Sequence, residues 1–130
     1  MIVDASIVVA LGLGEASCSW IARTIGAHAQ ERLGISWVNI AEAGIVLHRE
    51  NPLAFQALEP LLAKAGMEPL DLGWDVVRAA VEAHRRFPLN FGDCFAYAHA
   101  SLTGDPLLTL DADFFKTDLA EVLHPDRSRG

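Results

Sequence analysis

A chain of 130 residues, 52% hydrophobic and 21% charged, carries enough apolar material for one core of ordinary domain size, which excludes a disordered chain. The formal net charge of −7 argues against a general electrostatic grip on nucleic acid, because phosphate contacts normally demand Lys and Arg. One class escapes that exclusion: a site of clustered acids that takes up divalent cations, which reverse the local sign.

No repeat and no low-complexity tract is visible. The nearly uncharged stretch 5–14 is too short for a membrane helix, which needs about 20 apolar residues. Asp4 stands where a signal peptide would carry Lys or Arg, so the expected location is cytoplasmic. Two cysteines, Cys18 and Cys94, make neither a disulfide framework nor a zinc site and are expected to be buried small side chains.

In chain order, Ile2 and Val3 predict a short apolar strand ending at Asp4. A helix is predicted over 6–13, punctuated by Gly12 and Gly14, and a second over 16–30 with Trp20, Ile21, Ile25 and Ala29 at helical spacing. A strand over 33–35 leads into Ser36 and a helix over 38–48. Pro52 suits the first turn of a helix running to Ala65, which Gly66 ends. A brief strand is predicted at 69–72, a helix over 74–86 broken by Pro88, and a helix over 91–102 closed by Gly104. Residues 106–110 predict a strand, 111–113 a turn and 119–123 a last edge strand. The expected domain is 1–123, followed by a frayed polar tail over 124–130.

Strands alternating with helices imply an α/β fold of three layers, α/β/α, with a short-stranded, mainly parallel central sheet. Active sites of such folds lie beyond the carboxyl ends of the strands. Asp4 and Asp111 both follow apolar strand candidates and so fall there.

Each acidic residue has an ordinary structural role to set against a chemical one. Asp4 suits a helix cap, though Ser6 would cap equally well. Glu42 has Val38, Asn39, Ile45 and Val46 as its helical neighbours, none a cation; it must be paired, ligate a metal or reach solvent. Asp93, after Gly92, would serve as a cap, and Asp111 and Asp113 as turn residues. Together they place carboxylates at two strand ends, inside an apolar helix and at a glycine-led helix start. Without metal, their repulsion raises pKa values and costs stability; Mg2+ or Mn2+, which prefer carboxylate and water oxygens, turn that cost into binding energy.

These residues resemble the PIN-domain family, and most closely its VapC-like toxins. Residues 2–6, Ile-Val-Asp-Ala-Ser, resemble the opening Asp-x-Ser/Thr motif; Ser36 to Glu42 is similar to the second motif and Leu89 to Ala98 to the third, the most specific. Residues 106–114, with Thr117 and Asp118 after them, resemble the fourth. The set runs in family order across residues 2–118. The resemblance implies a metal site of Asp4, Glu42, Asp93 and one late Asp; Asp111 holds the usual position, while Asp113 and Asp118 fit a subgroup pattern. It also implies a metal-dependent endoribonuclease cutting RNA by in-line hydrolysis, a homodimer and a VapB-like antitoxin partner. Asp4 and Asp93 are then first choices as direct ligands, with Glu42 acting through water and Asp111 completing the outer part.

His48, Arg49, Arg85, Arg86 and Lys116 are candidate backbone contacts, with a solvated surface charge the commoner role. Trp37 and Phe91 would stack on bases, though aromatic side chains more often pack in cores. Gly12-Leu13-Gly14 lacks the third glycine of a dinucleotide-binding turn. An aspartate-based phosphohydrolase of the haloacid dehalogenase type would carry Asp where Ser6 stands. A non-catalytic PIN-like interaction module would have no use for clustered carboxylates.

Overall fold

Five short strands form one parallel sheet in the computed structural model, which describes residues 1–127. They are β1 (Ile2–Val3), β2 (Leu33–Ser36), β3 (Met67–Leu70), β4 (Leu107–Leu108) and β5 (Val122–Leu123), in the order β3-β2-β1-β4-β5. Ile2 stands opposite Gly34 on one side and Leu107 on the other. The sheet, expected to be mainly parallel, is parallel at every described pairing.

The helices are α1 (Ala5–Leu13), α2 (Cys18–Ala27), α3 (Trp37–Glu50), α4 (Pro52–Gln56), α5 (Leu58–Ala65), α6 (Trp74–Arg86) and α7 (Phe91–Thr103). Successive strand residues point to opposite faces, so each two-residue strand feeds both layers. Val3 and Leu108 pack with Ile7, Val8, Ile21 and Leu47 of α1, α2 and α3. Ile2 and Leu107 pack with Val76, Ala80 and Ala98 of α6 and α7. Helices therefore cover both faces, as the apolar, non-alternating strands predict.

Several boundaries differ from expectation for identifiable reasons. The helix predicted from Pro52 to Ala65 breaks at Ala57 into α4 and α5. Pro60 lacks an N–H and its ring would strike the carbonyl of Gln56, so a continuous helix is excluded and Pro60 falls in the first turn of a new one. The strand expected at 69–72 lies instead at Met67–Leu70, because its partner β2 ends at Ser36, opposite Leu70. Pro69 is tolerated there because β3 is an edge strand. The ladder around 106–110 shrinks to two residues, because β1 is two residues long before Asp4 opens α1. His124, expected in a frayed tail, is buried: its Nε2 lies 3.1 Å from the Leu110 carbonyl and its ring meets Phe115 edge-on. Residues 128–130 of that tail lie outside the described residues.

The strand order positions the site. From β1 the chain builds outward through β2 to β3, then returns across the sheet to add β4 and β5 on the other side. Connections leaving β1 and β4 therefore diverge, and open α/β sheets hold ligands in the crevice at such a switch point. Among the described residues, no helix is long and apolar enough to cross a membrane.

Candidate active site

Asp4 ends β1 and caps α1. Its Oδ1 accepts from the Ser6 amide at 3.1 Å and the Ser6 hydroxyl at 2.5 Å. Its Oδ2 accepts from the Thr109 hydroxyl at 2.6 Å. The Ser6 oxygen in turn accepts from Leu110 N, and the Thr109 oxygen from Asp111 N, each at 2.9 Å. This small network stitches the ends of β1 and β4 together. Burial pushes the Asp4 carboxyl up to about 6, against the lowering effect of the Ser6 and Thr109 hydroxyls; Asp111 adds a further rise. Capping and membership of the acidic group are thus compatible at Asp4.

Asp93 is not the cap of α7, as one reading of the sequence had it. That role belongs to Asn90, whose Oδ1 accepts from Asp93 N at 2.9 Å. From the first turn of α7, an Asp93 carboxyl oxygen lies among those of Asp111 and Asp113. Asp93 is buried, and its Oδ2 has no hydrogen-bond partner among the described residues. Its pKa is pushed up to about 7, first by burial, then by Asp111, Asp4 and Glu42. Those neighbours show that the four acids named from the sequence share one electrostatic environment.

Glu42 projects from α3 and is half-buried. Its Oε1 accepts from Asn39 Nδ2 at 2.7 Å, and its carboxylate lies so close over Gly92 that a Cβ there would overlap it. The missing cation is replaced by a neutral amide donor and by the absence of a side chain on α7.

Asp111 follows β4 and opens a 3-10 turn over Ala112–Lys116, its Oδ1 accepting from Asp113 N at 2.9 Å. Oxygens of Asp93, Asp111 and Asp113 lie within 4.8 Å of one another. Asp113, second to Asp111 in the sequence reading, is therefore beside it in space. Its outer oxygen is 3.4 Å from Lys116. Asp118 stands apart, taking the Tyr97 hydroxyl at 2.5 Å and Arg86 at 3.2 Å, and the Tyr97 hydroxyl holds its carboxyl below the usual range.

Of the candidate surface cations, Arg85 pairs with Glu82, Arg86 with Asp118 and Lys116 with Asp113. Trp37 and Phe91 were expected in the core, yet they are 52% and 70% exposed at the first positions of α3 and α7. Cys94 is buried and Cys18 half-buried, both free.

Two residues that matter here were not singled out from the sequence, Asn39 and Thr109; both are fully buried. The available signals were slight: Thr109 is the one polar residue in the run 107–110, and Asn39 lies one helical turn before Glu42.

The residues fit a hard divalent cation. The donor set is all carboxylate oxygen, which Mg2+ and Mn2+ prefer. An orphaned, buried Asp93 Oδ2 beside two further carboxylates is an uncompensated cost until a positive charge meets it.

A family model, PIN domain, matches residues 1–119. The chain is 37% identical over 129 residues to VapC ribonuclease Mb2004c of Mycobacterium bovis, covering 92% of this chain and 91% of that protein. Mycobacterium tuberculosis VapC20, described as a Sarcin-Ricin loop cleaving toxin, superposes with a TM-score of 0.76 at 23% identity, over 94% of this chain and 98% of that one. VapBC2 from Rickettsia felis, solved on a DNA fragment from its promoter, superposes with a TM-score of 0.72 at 14% identity, over 95% and 96%. The switch point of the sheet, the ordered acidic residues and these likenesses agree, and the chain belongs to the PIN-domain family, among its VapC-type members.

Proposed function

We propose that this protein is a divalent-metal-dependent endoribonuclease toxin that hydrolyses RNA phosphodiester bonds and is neutralised by a cognate VapB-like antitoxin. The observation that carries the chemistry is the meeting of oxygens of Asp93, Asp111 and Asp113 within 4.8 Å at the switch point, on an Asp93 carboxyl whose Oδ2 is buried without a hydrogen-bond partner among the described residues. The name VapC ribonuclease, borne by a relative 37% identical over nearly the whole chain, supports RNA as the substrate.

Asp93, Asp111 and Asp113 would hold the ion, Mg2+ with Mn2+ able to replace it. Asp4, at the end of β1, would join them as a direct ligand, since its oxygens keep lone pairs beside the Ser6 and Thr109 hydroxyls, and Glu42 would act through water from α3. When bound, the ion supplies a water of lowered pKa and neutralises charge on the phosphoryl oxygens. Ser6 and Thr109 keep the Asp4 carboxylate aimed by occupying both its oxygens. The acidic crevice repels RNA phosphates until it is loaded, which makes the protein's net charge of −7 compatible with a nuclease. Asp118, tied to Tyr97 and Arg86, is left out of the site.

The domain runs over 1–123, and the working form is a homodimer. Exposed Trp74, Val81 and Phe91 on α6 and α7 support an apolar association surface. Two free cysteines and an RNA substrate support a cytoplasmic location. The test is cleavage of RNA by purified protein with Mg2+ or Mn2+, and its loss with chelator. Chelator-resistant cleavage by a homogeneous sample refutes the metal-dependent reading.

A further inference from the structure

We propose that Asn39 is a positioning residue for the reaction, holding the Glu42 carboxylate against the first turn of α7. This rests on the metal-dependent hydrolysis proposed above. Asn39 is 1% exposed and lies inside the molecule, on the face of α3 turned toward α7. Its Nδ2 carries two hydrogens and meets two acceptors, Glu42 Oε1 at 2.7 Å and the Gly92 carbonyl at 3.0 Å. Neither acceptor can donate, so the amide orientation is forced: the nitrogen, not the oxygen, faces them. The cost of that choice is visible on the other side, where Asn39 Oδ1 is buried with no hydrogen-bond partner.

One amide group thus joins the acid on α3 to the backbone of α7, at the residue before Asp93. Gly92 completes the arrangement, since any side chain there would displace the Glu42 carboxylate. Salt-bridge pairing would have neutralised Glu42 and spent its charge. A neutral amide donor fixes its direction without bringing a competing cation into the acidic group. Groups that orient a metal site's acids in this way typically contribute about 10- to 100-fold in metal affinity or activity.

The experiment is a double-mutant cycle between Asn39 and Glu42 on the full-length protein. Asn39→Leu keeps the branched outline, with a somewhat larger side chain, and removes the donors. It is expected to lower kcat for RNA cleavage by about 10- to 100-fold and to weaken Mn2+ binding, read by titration calorimetry, with KM for RNA little changed. In a Glu42→Gln background the same change should cost little more. Losses that multiply in the double variant, or an Asn39→Leu protein as active as wild type, overturn the proposal. Should Asn39→Leu fail to fold by circular dichroism, Asn39→Ser keeps one donor and should lose less on both readouts, again only when Glu42 is present.

A wild type that neither binds Mn2+ nor cleaves RNA removes the underlying reading but still tests the contact. In metal-free protein the Asn39 side-chain amide resonances should shift on Glu42→Gln. Unshifted resonances show that Asn39 does not hold Glu42.

Discussion

The Thr109 hydroxyl donates to Asp4 Oδ2 at 2.6 Å, joining residues 105 positions apart at the ends of adjacent strands. Both are buried, and Thr109 also receives the Asp111 amide. Thr109→Val keeps the shape but leaves a buried carboxylate oxygen without its donor. The expected loss is about 1–3 kcal/mol of unfolding free energy, measured by denaturant titration. A variant as stable as wild type would show that this bond carries no weight.

Asp93→Asn is expected to lower cleavage by more than about 100-fold, beyond the range typical of residues outside a metal's own ligands. In metal-free protein the same change should leave stability equal or raise it, because it removes one charge from a crowded acidic group. Retained activity would reduce Asp93 to a structural residue.

The pH dependence of that stability difference has a definite sign. Folded Asp4 and Asp93 have pKa values of about 6 and about 7, against 3.8 for an ordinary Asp. Between these values the folded state keeps protons that the unfolded chain has released. Unfolding free energy therefore falls as pH rises from about 4 to about 7. Asp93→Asn removes one contributor, so its stability relative to metal-free wild type should grow across that window. Melting temperatures in chelator at a series of pH values measure this; a difference constant with pH contradicts it.

Gly92→Ala places a methyl group against the Glu42 carboxylate at a helical position where alanine is otherwise favourable. The flexible acid should swing away, so the fold survives while Mn2+ affinity falls. Calorimetry on wild type and variant gives the comparison, and unchanged affinity would show that Glu42 plays no part in the site.

Expression of the protein alone should arrest growth, and co-expression of a neighbouring antitoxin gene should restore it. A partner's Arg suits the acidic crevice because its planar guanidinium pairs bidentately with a carboxylate. Growth arrest by folded Asp4→Asn equal to that by wild type would place toxicity outside the carboxylate site.

Much of this was legible in the chain itself. Period and punctuation marked the helices, and the apolar stretches 2–3, 33–35 and 106–110 read as buried parallel strands, because a strand covered on both faces is apolar without alternation. The acids stood out because a carboxylate in an apolar run demands an explanation. Element ends were less legible: where β3 stops depends on where β2 stops, and a two-residue β1 shortens the ladder of β4. Pairing partners, not local propensity, set those limits.

Asn39 and Thr109 show what only the tertiary structure decided. As single polar residues, each reads as an ordinary part of a helix or strand. Their roles come from partners 53 and 105 positions away, Gly92 and Asp4, which local sequence spacing does not connect. The exposure of Trp37 and Phe91 is likewise set by where α3 and α7 leave the sheet. Sequence carries the chemical types and the short-range periods; which buried donor faces which acceptor follows only once the sheet order has brought the strand ends together.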